Sequence, residues 1–61
     1  MIVIDRVNKN ENVYRMVISD VKEISEMPDG RSWIIHTDPE GKVRSVLTET
    51  PFDQLIEELG L

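Results

Sequence analysis

The chain contains no cysteine, and it has one histidine, one tryptophan, one tyrosine and one phenylalanine. Without thiols the fold cannot be stapled by disulfides, and thiolate metal centres are excluded. His36 alone would leave a zinc site to be built from carboxylates, so no metal or other cofactor is expected. No apolar run approaches the ~20 residues that span a bilayer. The opening Met1-Ile2-Val3-Ile4 gives way at once to Asp5 and Arg6, too short a stretch for the apolar centre of a secretory leader. A cytoplasmic protein with no membrane partner is therefore expected. Glycine is also sparse, and Gly30, Gly41 and Gly60 stand far apart. A phosphate-cradling loop needs clustered glycines, and none can form. Positive charge is in short supply too. Seven basic residues face 12 acidic ones, a net charge of −5. Such a field repels a nucleic-acid backbone and suits a protein partner with a basic surface.

What is present describes one small domain over residues 1–61. A chain of this length buries only ~60% of the surface it exposes when unfolded, so a lone monomer is marginal. With disulfides and metals excluded, self-association is the remaining support, and a homodimer is expected on that ground. Hydrophobic residues make up 39% and charged residues 31%, a globular composition and not a disordered one.

Turn chemistry divides the chain. Asn8-Lys9-Asn10-Glu11-Asn12 is a polar loop, and Pro28-Asp29-Gly30 and Asp38-Pro39-Glu40-Gly41 are proline-led turns. In the last two, proline presets φ and glycine supplies the left-handed position. Between the turns lie runs rich in β-branched residues: Ile2 to Val7, Val13 to Ile18, about Val21 to Met27, Ser32 to Thr37, and Val43 to Thr48. The second run alternates Val13, Arg15 and Val17 with Tyr14, Met16 and Ile18. The third alternates imperfectly, because Val21 and Ile24 are three apart. A bulge, or a sharp bend at Ser19-Asp20, would restore a single buried face, and the two runs would then read as one long bent strand. The fourth run sets Trp33 and Ile35 against Ile34 and His36. Short connections make neighbours antiparallel.

The C-terminal segment carries a complete helix signature. Thr50 is the expected N-cap, Pro51 the first helical residue, and Asp53 completes a capping-box variant. Phe52, Leu55, Ile56 and Leu59 fall at i, i+3, i+4 and i+7, one apolar stripe, and Gly60 closes the helix at C′. So short a helix is unstable alone and must bury that stripe. The expected fold is α+β: an antiparallel β-meander of four to five strands with one C-terminal amphipathic helix on one face.

No residue constellation supports catalysis. His36 with a nearby serine and acid lacks a nucleophile elbow and an oxyanion loop. It reads as a strand histidine facing solvent or a neighbouring strand. The carboxylate pairs Glu57-Glu58 and Glu23 with Glu26 read as solvated surface, since so small a domain leaves little room for the pocket paired carboxylates require. Asp38-Pro39-Glu40-Gly41 lacks the downstream ligands of a calcium loop. The protein is therefore not expected to be an enzyme. Arg31, Lys42 and Arg44, with Trp33, are the candidate nucleic-acid contacts, since a ribbon carrying arginine and an aromatic can touch bases and phosphates. Trp33 is expected in the core in preference to an interface. Phe52, Leu55, Ile56 and Leu59 are the candidate interface residues, should the stripe cover a second subunit instead of its own sheet.

Met1-Ile2, Arg6-Val7-Asn8 and Ile24-Ser25-Glu26-Met27-Pro28-Asp29 give the chain a layout that resembles the FlbD-like small proteins of flagellar gene clusters. Those are also short strand-rich chains with a terminal helix. The loop lengths and the Trp33 run depart from them. Ile24, Trp33-Ile34-Ile35-His36-Thr37, Phe52-Asp53-Gln54-Leu55 and Leu59 are similar to the opening of LytTR-type DNA-binding domains. Those domains continue into a basic Arg/His segment that supplies DNA contacts, and that segment has no counterpart before Leu61. No functional residue is carried over from either likeness. The function expected is that of a non-catalytic interaction or regulatory protein, acting by self-association or on a protein partner. The alternatives are a nucleic-acid-binding regulator using the 31–44 hairpin and an acidic inhibitor of a nucleic-acid enzyme.

Overall fold

The computed structural model describes residues 1–61. Five strands precede one helix: β1 (Ile2–Val7), β2 (Val13–Ile18), β3 (Val21–Glu26), β4 (Ser32–Thr37), β5 (Val43–Thr48) and α1 (Phe52–Leu59). All strand pairs are antiparallel, as the short connections require, and the order across the sheet is β2-β1-β5-β4-β3. The expected antiparallel meander with a C-terminal helix against it is thus the observed fold. The chain runs β3-β4-β5 as consecutive hairpins, and β1 then takes the place beside β5.

This order forces the sheet to curl. β2 and β3 lie at opposite edges, yet only Ser19 and Asp20 join them. A flat sheet would hold those edges about 19 Å apart, four strand spacings. Three Cα steps from Ile18 to Val21 reach at most about 11 Å. The edges must therefore approach each other, and the bend that brings them together is the one expected at Ser19-Asp20. Asp20 takes a left-handed backbone with φ 54°, and its carbonyl accepts from the Thr37 amide at 3.2 Å, tying the bend to the end of β4. A register shift between Val21 and Glu23 adds the bulge that the imperfect alternation called for.

Curling gives the sheet an inner and an outer face. The inner face holds Ile2, Ile4, Ile18, Ile34 and Val46, and Leu55 of α1 completes this cluster with no exposed surface. Met16, Val21, Ile24 and Leu59 border it, half-buried. Of the helix stripe, Leu55 lies in this cluster and Leu59 packs against it. Gly60, with φ 72°, ends α1 as expected: its amide reaches the Glu57 carbonyl and the Leu61 amide reaches that of Ile56.

Two sequence expectations are corrected. Thr50 does not cap the helix: Pro51 is the N-cap, with no side-chain cap bond. The Thr50 side chain is instead drawn into a buried hydroxyl cluster with Thr48 and Ser32. Trp33 is not in the core. It points outward at 37% exposure, because Ile34 and His36, of opposite strand parity, take the inner positions of β4.

Candidate functional site

The four residues read as nucleic-acid contacts do not converge on one face. Arg31 is held by its own turn: its Nε donates to Asp29 Oδ2 at 2.7 Å, and its Nη1 lies 3.3 Å from Glu11 Oε2. Its charge is answered by two carboxylates. The Asp29 carboxyl is held below the usual carboxylate range by the hydrogen bond from that side chain, and the Arg31 guanidinium is raised for the same reason. Lys42 sits exposed on the β4–β5 turn. Arg44 stands directly opposite His36 across the β4–β5 ladder, so it belongs to the inner-face parity, whereas Trp33 belongs to the outer.

The helix stripe is divided. Leu55 is fully buried in the core, while Phe52, Ile56 and Leu59 are half-buried along its rim.

The exposed apolar surface lies on the outer face of the sheet. One register line crosses it from strand to strand: Val13 opposite Val7, Val7 opposite Leu47, and Leu47 opposite Trp33. Cross-strand neighbours of this kind touch, so the four form a continuous belt over four strands. Val7 is sheltered, Leu47 is half-buried, and Val13 and Trp33 remain exposed. A second outer pair, Val3 opposite Val17, lies further along β1 and β2, with both side chains exposed. Single exposed apolar residues are ordinary, but a connected row that ends in an exposed tryptophan is not.

The inner face changes character at one end. Along β1 the residues of inner parity are Ile2, Ile4 and then Arg6; along β4, Ser32, Ile34 and then His36; along β5, Thr48, Val46 and then Arg44. Each strand thus runs toward a nitrogen-bearing side chain, but not in one row: Arg6 lies level with Thr48 and Ser32, whereas His36 and Arg44 face each other four residues further along. Beyond these two pairs, Arg6–Thr48 and Val7–Leu47, β1 and β5 part company, so that Arg6 stands at the junction and Arg44 past it. A cavity of about 380 Å³ opens at this place, bordered by Arg6, Met16, His36, Asp38, Arg44 and Val46. Arg44 Nε donates to Asp38 Oδ2 at 2.9 Å, and this bond, with amide bonds from Lys42 and Glu40, keeps the Asp38 carboxyl below its ordinary range. The Arg6 guanidinium lies 5.6 Å from the centroid of the Tyr14 ring, its cross-strand neighbour. His36 is only 3% exposed, and its Nε2 is buried with no hydrogen-bond partner.

Neither Arg6 nor His36 was singled out as a site residue by sequence reasoning. The signal was present in strand parity, which places Arg6 in line with Ile2 and Ile4, and His36 in line with Ile34. No group of three or more histidine, cysteine or carboxylate side chains is arranged to hold a metal ion. No helix is long and apolar enough to cross a membrane. No protein-family model, curated protein or solved structure matches the chain.

Proposed function

We propose that this protein acts by non-catalytic contact with protein, and that the outer belt of Val13, Val7, Leu47 and Trp33 joins it to a second copy of itself. The continuity of that belt across four strands is the observation that carries the reading. Two further points favour a second copy. The core cluster contains only six buried apolar residues, and neither disulfide nor metal site supplements it. A small domain of this kind gains stability when an apolar face is covered by its twin. The belt is also self-complementary in chemistry, as a two-fold interface requires. Trp33 is its natural anchor, since large aromatics dominate interface energetics. The distribution of charge favours this reading over nucleic-acid binding through the hairpin: Arg31 is paired with two carboxylates, Arg44 and Trp33 lie on opposite faces, and the net charge is −5.

Light scattering and sedimentation across a concentration series test the proposal. The native chain is expected to reach the mass of a dimer. Trp33→Ser is expected to weaken association by about 30-fold or more, the loss typical of a hot-spot aromatic, while the fold is kept. A native chain that stays folded and monomeric up to about 1 mM would overturn it.

A further inference from the structure

We propose that the cavity at the cationic end of the inner sheet face is a binding site for a small molecule, held through a compact anionic group, a carboxylate or a phosphate, by Arg6 and Arg44 beside the His36 ring. This face lies on the other side of the sheet from the Trp33 belt, so the proposal is independent of self-association.

Three observations converge. The first is unused donor capacity. Arg44 bonds Asp38 through Nε alone, and neither of its Nη groups bonds within the chain. Arg6 makes no ion pair, and its guanidinium lies 5.6 Å from the Tyr14 ring centroid. Guanidinium groups present planar donor forks that match the oxygens of carboxylate and phosphate. The second is the His36 ring. It borders the cavity while its Nε2, without a partner, is closed off from solvent, so the ring serves as a wall of the site and not as a donor to it. The third is shape and lining. A volume of about 380 Å³ falls within the range of ligand pockets, and Met16 and Val46 offer an apolar wall beside the polar groups. Asp38 sets the polarity of the site without cancelling it. Two guanidinium charges face one carboxylate, which already accepts from Arg44 and from two backbone amides. The local balance is therefore positive in a chain whose overall charge is −5.

The test is an NMR titration of the full chain with inorganic phosphate and, separately, with acetate, against sodium chloride at matched ionic strength. The expected result is saturable shifts confined to the Arg44 Nε–H, the Arg6 side chain, the His36 ring and the amides of Ser45 and Val46. Inorganic phosphate or acetate is expected to bind with Kd near ~1 mM, as befits so few ligand atoms. Saturation by phosphate alone assigns the site to phosphate-bearing ligands, by acetate alone to carboxylates, and by both to either class; each supports the proposal. Arg6→Gln and Arg44→Gln, both at accessible positions, should each weaken binding by about 10-fold with spectra still dispersed, as loss of one charge-assisted bond predicts. Shifts that stay linear to about 50 mM, that chloride reproduces, or that survive in the double variant would overturn it.

Discussion

Ser32, Thr48 and Thr50 place three hydroxyl groups inside a core otherwise made of isoleucine, valine and leucine. The Thr48 hydroxyl donates to the Asp5 carbonyl at 2.8 Å and accepts from the Thr50 amide at 3.1 Å; Ser32 Oγ donates to the Thr50 carbonyl at 2.9 Å. The cluster links β1, β4 and β5 to the segment that leads into α1. Buried hydroxyls are tolerated only when so paired, and breaking one side of a pair leaves the other stranded. Thr48→Val keeps the shape but removes the acceptor of the Thr50 amide. It is expected to cost about 1–3 kcal/mol, whereas Thr48→Ser should cost less because the hydroxyl remains. Urea denaturation with an unchanged slope and a lowered midpoint would show this, and equal midpoints for the two variants would refute it. The same cluster explains why the N-cap expectation failed. Thr50 has the chemistry of a cap, but local sequence cannot reveal that its hydroxyl is paired with Thr48 Oγ1, at 3.1 Å, and its carbonyl with Ser32. Trp33 failed differently. Its size argued for the core, while its parity with Ile35 against Ile34 and His36 argued for the other face, and in a strand parity decides.

At the level of elements, three hairpin turns share one backbone design. Asn8, Met27 and Asp38 each pair their amide with the carbonyl four residues on, and each accepts at its carbonyl from the amide three residues on. The fourth residue of each turn is left-handed: Gly30 and Gly41 where proline and glycine announced it, and Glu11, at φ 60°, where nothing in the residue type did. The two proline-led turns are each followed by an arginine that answers the turn aspartate: Arg31 on Asp29 and Arg44 on Asp38. Both carboxyls titrate below their unfolded values, chiefly because of those arginine hydrogen bonds. Their contribution is therefore complete above the ordinary aspartate value near ~3.9 and is lost as pH falls through the lower folded values. Stability measured by urea midpoint should decline along an acid limb below about pH 4, and Asp29→Asn with Asp38→Asn should flatten that limb. An acid limb of undiminished slope in the double variant would show that other carboxylates set it. Most of this level was legible in the sequence. Strand limits, both glycine turns and the Ser19-Asp20 bend follow from residue chemistry within a few positions, which is the range over which turn and strand preferences act.

Over the whole molecule, what the sequence concealed was β1 lying beside β5, a contact between residues some 40 apart in the chain. The cavity follows from that arrangement, and so Arg6, His36 and Arg44 could not be read as neighbours from spacing alone. The closing step was legible only in outline: a helix with one apolar stripe must find a sheet face to cover. The curled sheet leaves its inner face open where α1 lies, and Leu55 fills that space while Leu59 borders a cavity of about 280 Å³ shared with Val21 and Ile24. A fold of 61 residues has a total stability of only about 3–9 kcal/mol. Leu55→Ala removes buried methyl groups at a site with little freedom to collapse, at a cost of about 2–5 kcal/mol, a large part of the whole. The variant should therefore be mostly unfolded in mild denaturant, and a chain ending at Glu49, which lacks both leucines, should not fold at all. Circular dichroism and amide NMR dispersion read both outcomes. If the chain ending at Glu49 gave a dispersed spectrum and a cooperative unfolding transition, the five strands would close a core by themselves. Leu55 would then be packing onto a structure already complete, and the account of the inner face as a space finished by the helix would fail.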